Sequence, residues 1–351
     1  RFAAGSRSCW WTRLGDPPPA DMLTFDDSRL QDRDALEAAD SLLRPLAEAG
    51  SRIRRENVAA QAPLEALGSA DRPRAVMVFG PEARLVRAVL EPTCPVPLVA
   101  WPRLGLPGWV GPLDIVVVLG GGDRMSLAAT FEAVRRGCQL LVVAPEQSTL
   151  ARESASKDTT LLPTSTGDPL AAAVVALAGL HRLGLGPMIS PPAIADAMDR
   201  VAQSCSARLD ATENPAKLMA LELAEAQPLV WGGSILAARA SRRIAEALRA
   251  ASGRVVLAAD AGALEPLLTA AVPRDPFADP FDEVGSACRP GLVLIDDATL
   301  RSAAAAHAAL QSLRAAAGPA RIALIGPADM ASQREVLEQA GVDIVILKPI
   351  A

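Results

Sequence analysis

Short runs of Val, Ile, Leu and Ala recur along this chain, each ending at a glycine, a polar turn or a proline. They include "RAVMVFG" (74–80), "DIVVVLGGG" (114–122), "QLLVVAP" (139–145), "GLVLID" (291–296) and "RIALIG" (321–326). These runs are apolar at almost every position rather than at every second one. A strand of that kind has to be covered on both faces, which the parallel sheets of α/β proteins achieve with helices on either side. Amphipathic helical segments lie between the runs. The fold class expected is therefore α/β, with doubly wound parallel sheets.

The pattern is written twice. An opening helical segment (about 28–68) leads to strand 74–80, a helix beginning "PEARLVRAVL", a short strand "VPLVA" (96–100) and the 114–145 strand–glycine–helix–strand unit. A strand "TTLLP" (159–163) and a helix (168–184) follow. "LGLGPMISPP" (183–192) reads as a boundary, with a connecting helix at 193–208. The second half then runs through helix 214–226, strand 228–232, helix 234–251, strand 254–259, strand 291–296, helix 299–317, strand 321–326, helix 330–340 and strand 342–348. The expected domains are 22–187 and 214–351, joined by a 188–213 linker. Residues 1–21, "RFAAGSRSCWWTRLGDPPPAD", read as a disordered tail or a start-site artefact preceding Met22.

Composition narrows the function classes. Of 351 residues, 50% are apolar but only 3% aromatic, and there is no Tyr, so the cores are aliphatic. A net charge of −5 without a long basic run argues against a nucleic-acid platform. No stretch approaches the roughly 18–20 apolar residues that span a bilayer. No signal peptide is recognisable, and the expected location is the cytoplasm. Cys9, Cys94, Cys138, Cys205 and Cys288 are odd in number and form no CxxC, which argues against a disulfide framework or a zinc site. With only His181 and His307 available, neither a metal centre nor a cofactor is expected. Asp296–Asp297 reads as a solvated helix cap.

In doubly wound folds, ligands sit beyond the carboxyl ends of the strands. That singles out Gly80, the Gly120, Gly121, Gly122 turn, the Gly232, Gly233, Ser234 turn and the 296–299 turn. No GxGxxG occurs, because Met125 stands where the third glycine would be, so a dinucleotide site is disfavoured. The Gly120–Gly122 turn can present backbone N–H groups to an anion, favoured by about 0.3–1 kcal/mol from the helix dipole. Asp123 is placed to cap that same helix with its own carboxylate. A phosphate there meets a fixed negative charge, a repulsion on the order of several kcal/mol at an effective dielectric near 20. The Gly232–Ser234 turn carries no acid, and Arg239, Arg242 and Arg243 follow it. The hydroxyls of "PTSTGD" (163–168) read as a polar turn with a sugar contact as the alternative.

The doubled plan, together with "NPAK" (214–217), "PLVWGGS" (228–234), "GWVGPLDIVVV" (108–118) and "GVDIVILK" (341–348), resembles a known group. It is similar to tandem sugar-isomerase (SIS) domain proteins of the bifunctional phosphoglucose/phosphomannose isomerase family, and within it to divergent actinobacterial TobH-like members. The resemblance implies two SIS-like, flavodoxin-type domains, a homodimer and a sugar-phosphate ligand. Active members carry a hydroxyl-rich Ser-Tyr-Ser-Gly-Asn-Thr-Glu-Glu-Thr turn. Here its hydroxyl positions fall on Val118, Gly120 and Asp123, and only Ser126 keeps one. Glu82 stands near the Ser of the family's Gly-Gly-Ser turn. The family's Glu and His-Asn-Glu segment has no counterpart in 263–285, where Glu265 and Glu283 are the only substitute bases to test.

The expectation is a phosphosugar-binding protein that has lost isomerase chemistry. An isomerase of glucose 6-phosphate and mannose 6-phosphate with displaced catalytic groups is one alternative. A structural partner of a sugar-nucleotide pathway enzyme is the other.

Overall fold

The computed structural model describes residues 25–68, 72–120, 122–224, 226–270, 289–295, 312–313, 321–325 and 344–347. An opening helical layer comprises a 3-10 turn (Asp27–Leu30) and α1 (Arg33–Ala38), α2 (Asp40–Ala47), α3 (Ala49–Ala59) and α4 (Gln61–Ala66). Then come β1 (Val76–Phe79), α5 (Ala83–Leu90), β2 (Leu98–Ala100), β3 (Ile115–Leu119), α6 (Arg124–Arg135) and β4 (Gln139–Ala144). The first half closes with α7 (Thr149–Glu153), β5 (Thr159–Pro163) and α8 (Pro169–Arg182), followed by α9 (Pro191–Ser204). The second half contains α10 (Pro215–Leu223), β6 (Ala226–Gly232), α11 (Ile235–Ser252), β7 (Leu257–Ala258), α12 (Ala261–Thr269), β8 (Arg289–Ile295), β9 (Arg321–Ile325) and β10 (Ile344–Leu347).

Both sheets are wholly parallel and have one topology. The first runs β2-β1-β3-β4-β5 and the second β7-β6-β8-β9-β10, so each has the flavodoxin-like order 2-1-3-4-5. The uninterrupted apolar strands are explained by the packing. Val76, Val78, Val117 and Leu141 point to one side, against Val86 and Leu90 of α5 and Val175 and Leu180 of α8. Their neighbours Met77, Phe79, Val116, Val118 and Val142 point to the other, against Ala129 and Ala133 of α6 and Leu150 of α7. In the second sheet, Val230 and Val293 pack on Ala237 and Ala245 of α11 and Leu223 of α10.

The motifs that carry the family resemblance act here as structural clamps. Asp114, fully buried at the foot of β3, accepts from Arg74 Nε at 3.0 Å and from the Gly111 N–H at 2.8 Å. Burial alone would raise its pKa, but Arg74 and the backbone donors hold it below the usual carboxylate range. In "NPAK", Asn214 caps α10 through the Ala216 and Lys217 N–H groups, and Pro215 occupies the first helical turn. The buried Lys217 donates from Nζ to the carbonyls of Ala207 and Leu209 at 2.9 and 2.8 Å, tying the linker to the second half.

Sequence periodicity missed α7 and α12, short helices of five and nine residues. The strand expected at 254–259 pairs only over Leu257–Ala258 at the sheet edge, where Val255 is exposed. The helices expected at 299–317 and 330–340 lie largely or wholly outside the described residues. Among the described residues, no helix is long and apolar enough to cross a membrane.

Candidate functional site

A cleft of about 490 Å³ opens at the carboxyl ends of β1, β2 and β3. Gly80 and Pro81 of the β1–α5 turn form one wall, Trp101 and Pro102 beyond β2 another, and Asp123, Met125 and Ser126 at the head of α6 a third. The fourth side comes from the second half, where α11 contributes Arg239 and Glu246. A second depression, of about 440 Å³, is lined by Ala47, Asp199, Ala202, Gln203 and Ser206, and no strand end contributes to it. The first is the better candidate, because open α/β sheets bind ligands at strand ends.

The floor depends on glycine. Gly80 has φ +110°, and a Cβ there would lie 2.3 Å from the Leu119 carbonyl oxygen, so only glycine lets β1 turn beside β3. Gly120 and Gly122 also have positive φ, at +113° and +108°. Gly121 lies outside the described residues.

Asp123 caps α6 in full. Its Oδ1 accepts from the Met125 and Ser126 N–H groups at 2.9 and 3.1 Å, and its Oδ2 accepts from the Ser126 hydroxyl at 2.5 Å. Burial opposes its ionisation, but these donors, the Ser126 hydroxyl first among them, hold its pKa below the usual carboxylate range. The Met125 and Ser126 donors at the head of α6 are therefore engaged by an internal carboxylate.

Arg239 and Trp101 differ from the rest of the cleft. Arg239 is only 9% exposed, yet its Nε and Nη1 have no hydrogen-bond partner in the protein. Its nearest carboxylates are off-distance: Glu246 Oε1 lies 3.5 Å from Nη1 and Glu82 Oε2 lies 3.8 Å from Nη2. The buried Nε1 of Trp101 also lacks a partner. Glu82, 5% exposed, reaches from the head of α5 to Arg243 of α11 with Oε1, while its Oε2 has no hydrogen-bond partner. An unsatisfied buried polar group typically costs about 1–3 kcal/mol, so this cluster is the least self-satisfied polar region of the cleft.

The other sequence-level candidates are distributed elsewhere. Gly232 is needed for packing, since a Cβ there would lie 2.4 Å from the Ala237 backbone. Ser234 caps α11 by accepting from the Ala237 N–H at 3.0 Å. Neither they nor Gly233 line the cleft. Glu265 is exposed on α12, away from the cleft lining, and Glu283, Asp296, Asp297 and His307 lie outside the described residues. Two of the "PTSTGD" hydroxyls have an internal partner: the fully buried Glu56 accepts from the N–H and hydroxyl groups of both Ser165 and Thr166. His181 contacts the Gly186 carbonyl at 3.2 Å through Nδ1. Of the three arginines, Arg239 lines the cleft, Arg243 holds Glu82, and Arg242 is exposed. Sequence reasoning missed Trp101, although it directly follows a predicted strand, the position where such a fold exposes ligand contacts.

Among the described residues, no group of three or more His, Cys, Asp or Glu side chains could hold a metal ion. No family model matches the chain, and no curated protein sequence does either. Solved structures do. The C-terminal domain of glucosamine-fructose-6-phosphate aminotransferase from Francisella tularensis superposes with a TM-score of 0.57 at 14% identity, covering 88% of each chain. Tagatose-6-phosphate ketose/aldose isomerase from Escherichia coli superposes with a TM-score of 0.59 at 16% identity, covering 89% of this chain and 86% of that one.

The fold is shared with these proteins: two doubly wound parallel α/β sheets.

At these identities the likeness is one of fold, so the chemistry has to be argued from the residues of the cleft.

Proposed function

We propose that the protein binds a sugar phosphate in the cleft at the ends of β1, β2 and β3, in a binding or regulatory role and without isomerising it. The observation that carries this reading is the pair of buried, unpartnered donors, on Arg239 and Trp101, in a strand-end cleft of this fold. The named structural neighbours that act on phosphorylated sugars give the ligand class. The finer resemblance, to the TobH-like branch of the phosphoglucose/phosphomannose isomerases, rests on the sequence motifs. So do the division at 187 and 214, the homodimer and the cytoplasmic location.

The lack of turnover is argued from the carboxylates. Aldose–ketose isomerisation needs a base within reach of a carbon-bound proton. Asp123 is engaged as a cap and held in its weakly basic ionised form, and Glu82 is tied to Arg243. Glu246 faces Arg239, and Glu265 stands outside the cleft.

A thermal-melt titration with fructose 6-phosphate, mannose 6-phosphate and a linear sugar-acid phosphate tests this reading, followed by a coupled isomerase assay. A ligand binding only the native state at 100 times its Kd adds about 2.7 kcal/mol. Binding without turnover is the expected result. Turnover abolished by Glu265→Gln or Glu283→Gln would establish an isomerase instead, and no stabilisation at millimolar ligand would point to a structural partner role.

A further inference from the structure

We infer that the anion in this cleft is gripped by Arg239, a side chain that the second half extends into the ligand cleft of the first, and not by the β3–α6 glycine turn. This rests on the sugar-phosphate reading above and names the group that would hold the charge.

The two competing anion sites can be compared directly. At the glycine turn, the Met125 N–H, the Ser126 N–H and the Ser126 hydroxyl all donate to Asp123, whose negative charge remains in place. A phosphate there would have to displace an internal carboxylate of the same sign. Arg239 differs in sign and in engagement: it is a cation, and its two carboxylate neighbours, Glu246 at 3.5 Å and Glu82 at 3.8 Å, stand beyond good hydrogen-bond distance. Its guanidinium is permanently charged and about nine-tenths buried, and two of its three nitrogens have no hydrogen-bond partner in the protein. A buried guanidinium favours planar, bidentate acceptors, and phosphate and carboxylate are the groups that match its fork.

Trp101 supplies the independent second observation. An indole Nε1–H can only donate, and this one is buried without an acceptor on another wall of the same cleft. Two residues that line one cleft thus carry donors without a hydrogen-bond acceptor in the protein, the complement of an acceptor-rich anionic group. Glu246, which also faces Arg239 Nη1 at 3.5 Å, is the acid of the cleft left to accept from ligand hydroxyls, since both oxygens of Asp123 are engaged in its cap. The ligand that fits is a small polyhydroxylated molecule with one anionic end.

Glu82 is the buried competitor for this guanidinium, beside the half-exposed Glu246. Its Oε2 stands 3.8 Å from Arg239 Nη2 and has no hydrogen-bond partner, while its other oxygen holds Arg243. A bound anion and Glu82 therefore share one guanidinium, and neutralising Glu82 should raise ligand affinity.

The test is isothermal titration of the full chain with fructose 6-phosphate and, separately, with inorganic phosphate. Glu82→Gln is expected to tighten binding about 3- to 10-fold by removing a like charge beside the site. Arg239→Met is expected to weaken it at least about 30-fold. Asp123→Asn, which keeps a good cap, should tighten binding less than Glu82→Gln does. The charge-matched double variant Glu82→Gln/Arg239→Met, checked by circular dichroism, guards against misfolding of the single one. Unchanged affinity in that double variant, or a larger gain from Asp123→Asn than from Glu82→Gln, overturns the inference and leaves the sugar-phosphate reading standing. Arg239-dependent binding of inorganic phosphate with no sugar-phosphate binding keeps the inference and overturns the reading. If neither probe binds wild type or Glu82→Gln, both fail.

Discussion

The β1–α5 turn and the β6–α11 turn occupy the same place in the two halves, because β1 and β6 are each second in an identical strand order. Gly80 follows β1 and Gly232 ends β6, and Glu82 and Ser234 stand at the two helix N-caps. Ser234 behaves as a cap and accepts from the Ala237 N–H. Glu82 makes no side-chain cap bond; it crosses to α11 and meets Arg243 and, more distantly, Arg239. One repeat uses the position for local helix termination and the other for a bond between halves. Equivalent backbone can therefore serve different ends once its side chain is long enough and charged.

Making the two turns alike should have the largest effect. Glu82→Ser offers α5 a hydroxyl cap worth about 1 kcal/mol. It also removes the buried carboxylate facing two arginines, a loss of about 3 kcal/mol or more. Urea unfolding should show a net destabilisation of about 2 kcal/mol. Stability equal to wild type would mean that the contact between halves contributes nothing and that the contrast between the turns is superficial.

Asp123→Ala removes the acidic cap of the β3–α6 turn and should cost about 1–2 kcal/mol near neutral pH. Asp123 titrates lower in the folded chain than its ordinary value. Its contribution is thus present above the ordinary carboxylate pKa and is lost as pH falls through the folded value. The gap between wild type and variant should accordingly shrink in acid, and a gap independent of pH would show that the cap does not act through its charge. Ser234→Ala should have the smallest effect, about 1 kcal/mol, with no carboxylate titration in its pH profile. A pH-dependent gap there would break the distinction between an acidic and a hydroxyl turn.

Much of this contrast was legible in the sequence because it is local. Asp123 two residues before Met125, after glycines and before an amphipathic segment, already specifies a cap, and the cap is there. Ser234 was legible for the same reason. The strands were legible because a parallel sheet buried on both faces leaves an unbroken apolar run. The edge strand β7 was over-read, since 254–259 has the composition of a strand but only two of its residues find a partner. Helices α7 and α12 were missed because five or nine residues offer too few turns to establish a period.

What could not be read were contacts between distant segments. Glu56 satisfies the hydroxyls of Ser165 and Thr166 from more than a hundred positions away. Arg239, Arg242 and Arg243 of α11 look interchangeable in sequence, yet the first lines the cleft, the third holds Glu82 and Arg242 is exposed. Trp101 reads as part of a Pro/Gly-rich link until the sheet order places the end of β2 beside that of β1.

The sequence by itself determined two parallel α/β sheets, their glycine turns and the caps that close them, because apolar runs, helix periods and capping residues act over a few positions. Only the tertiary structure decided which charges meet. Glu82 and Arg243 lie 161 residues apart, and electrostatic pairing at that separation depends on how α5 and α11 pack, which no local pattern encodes.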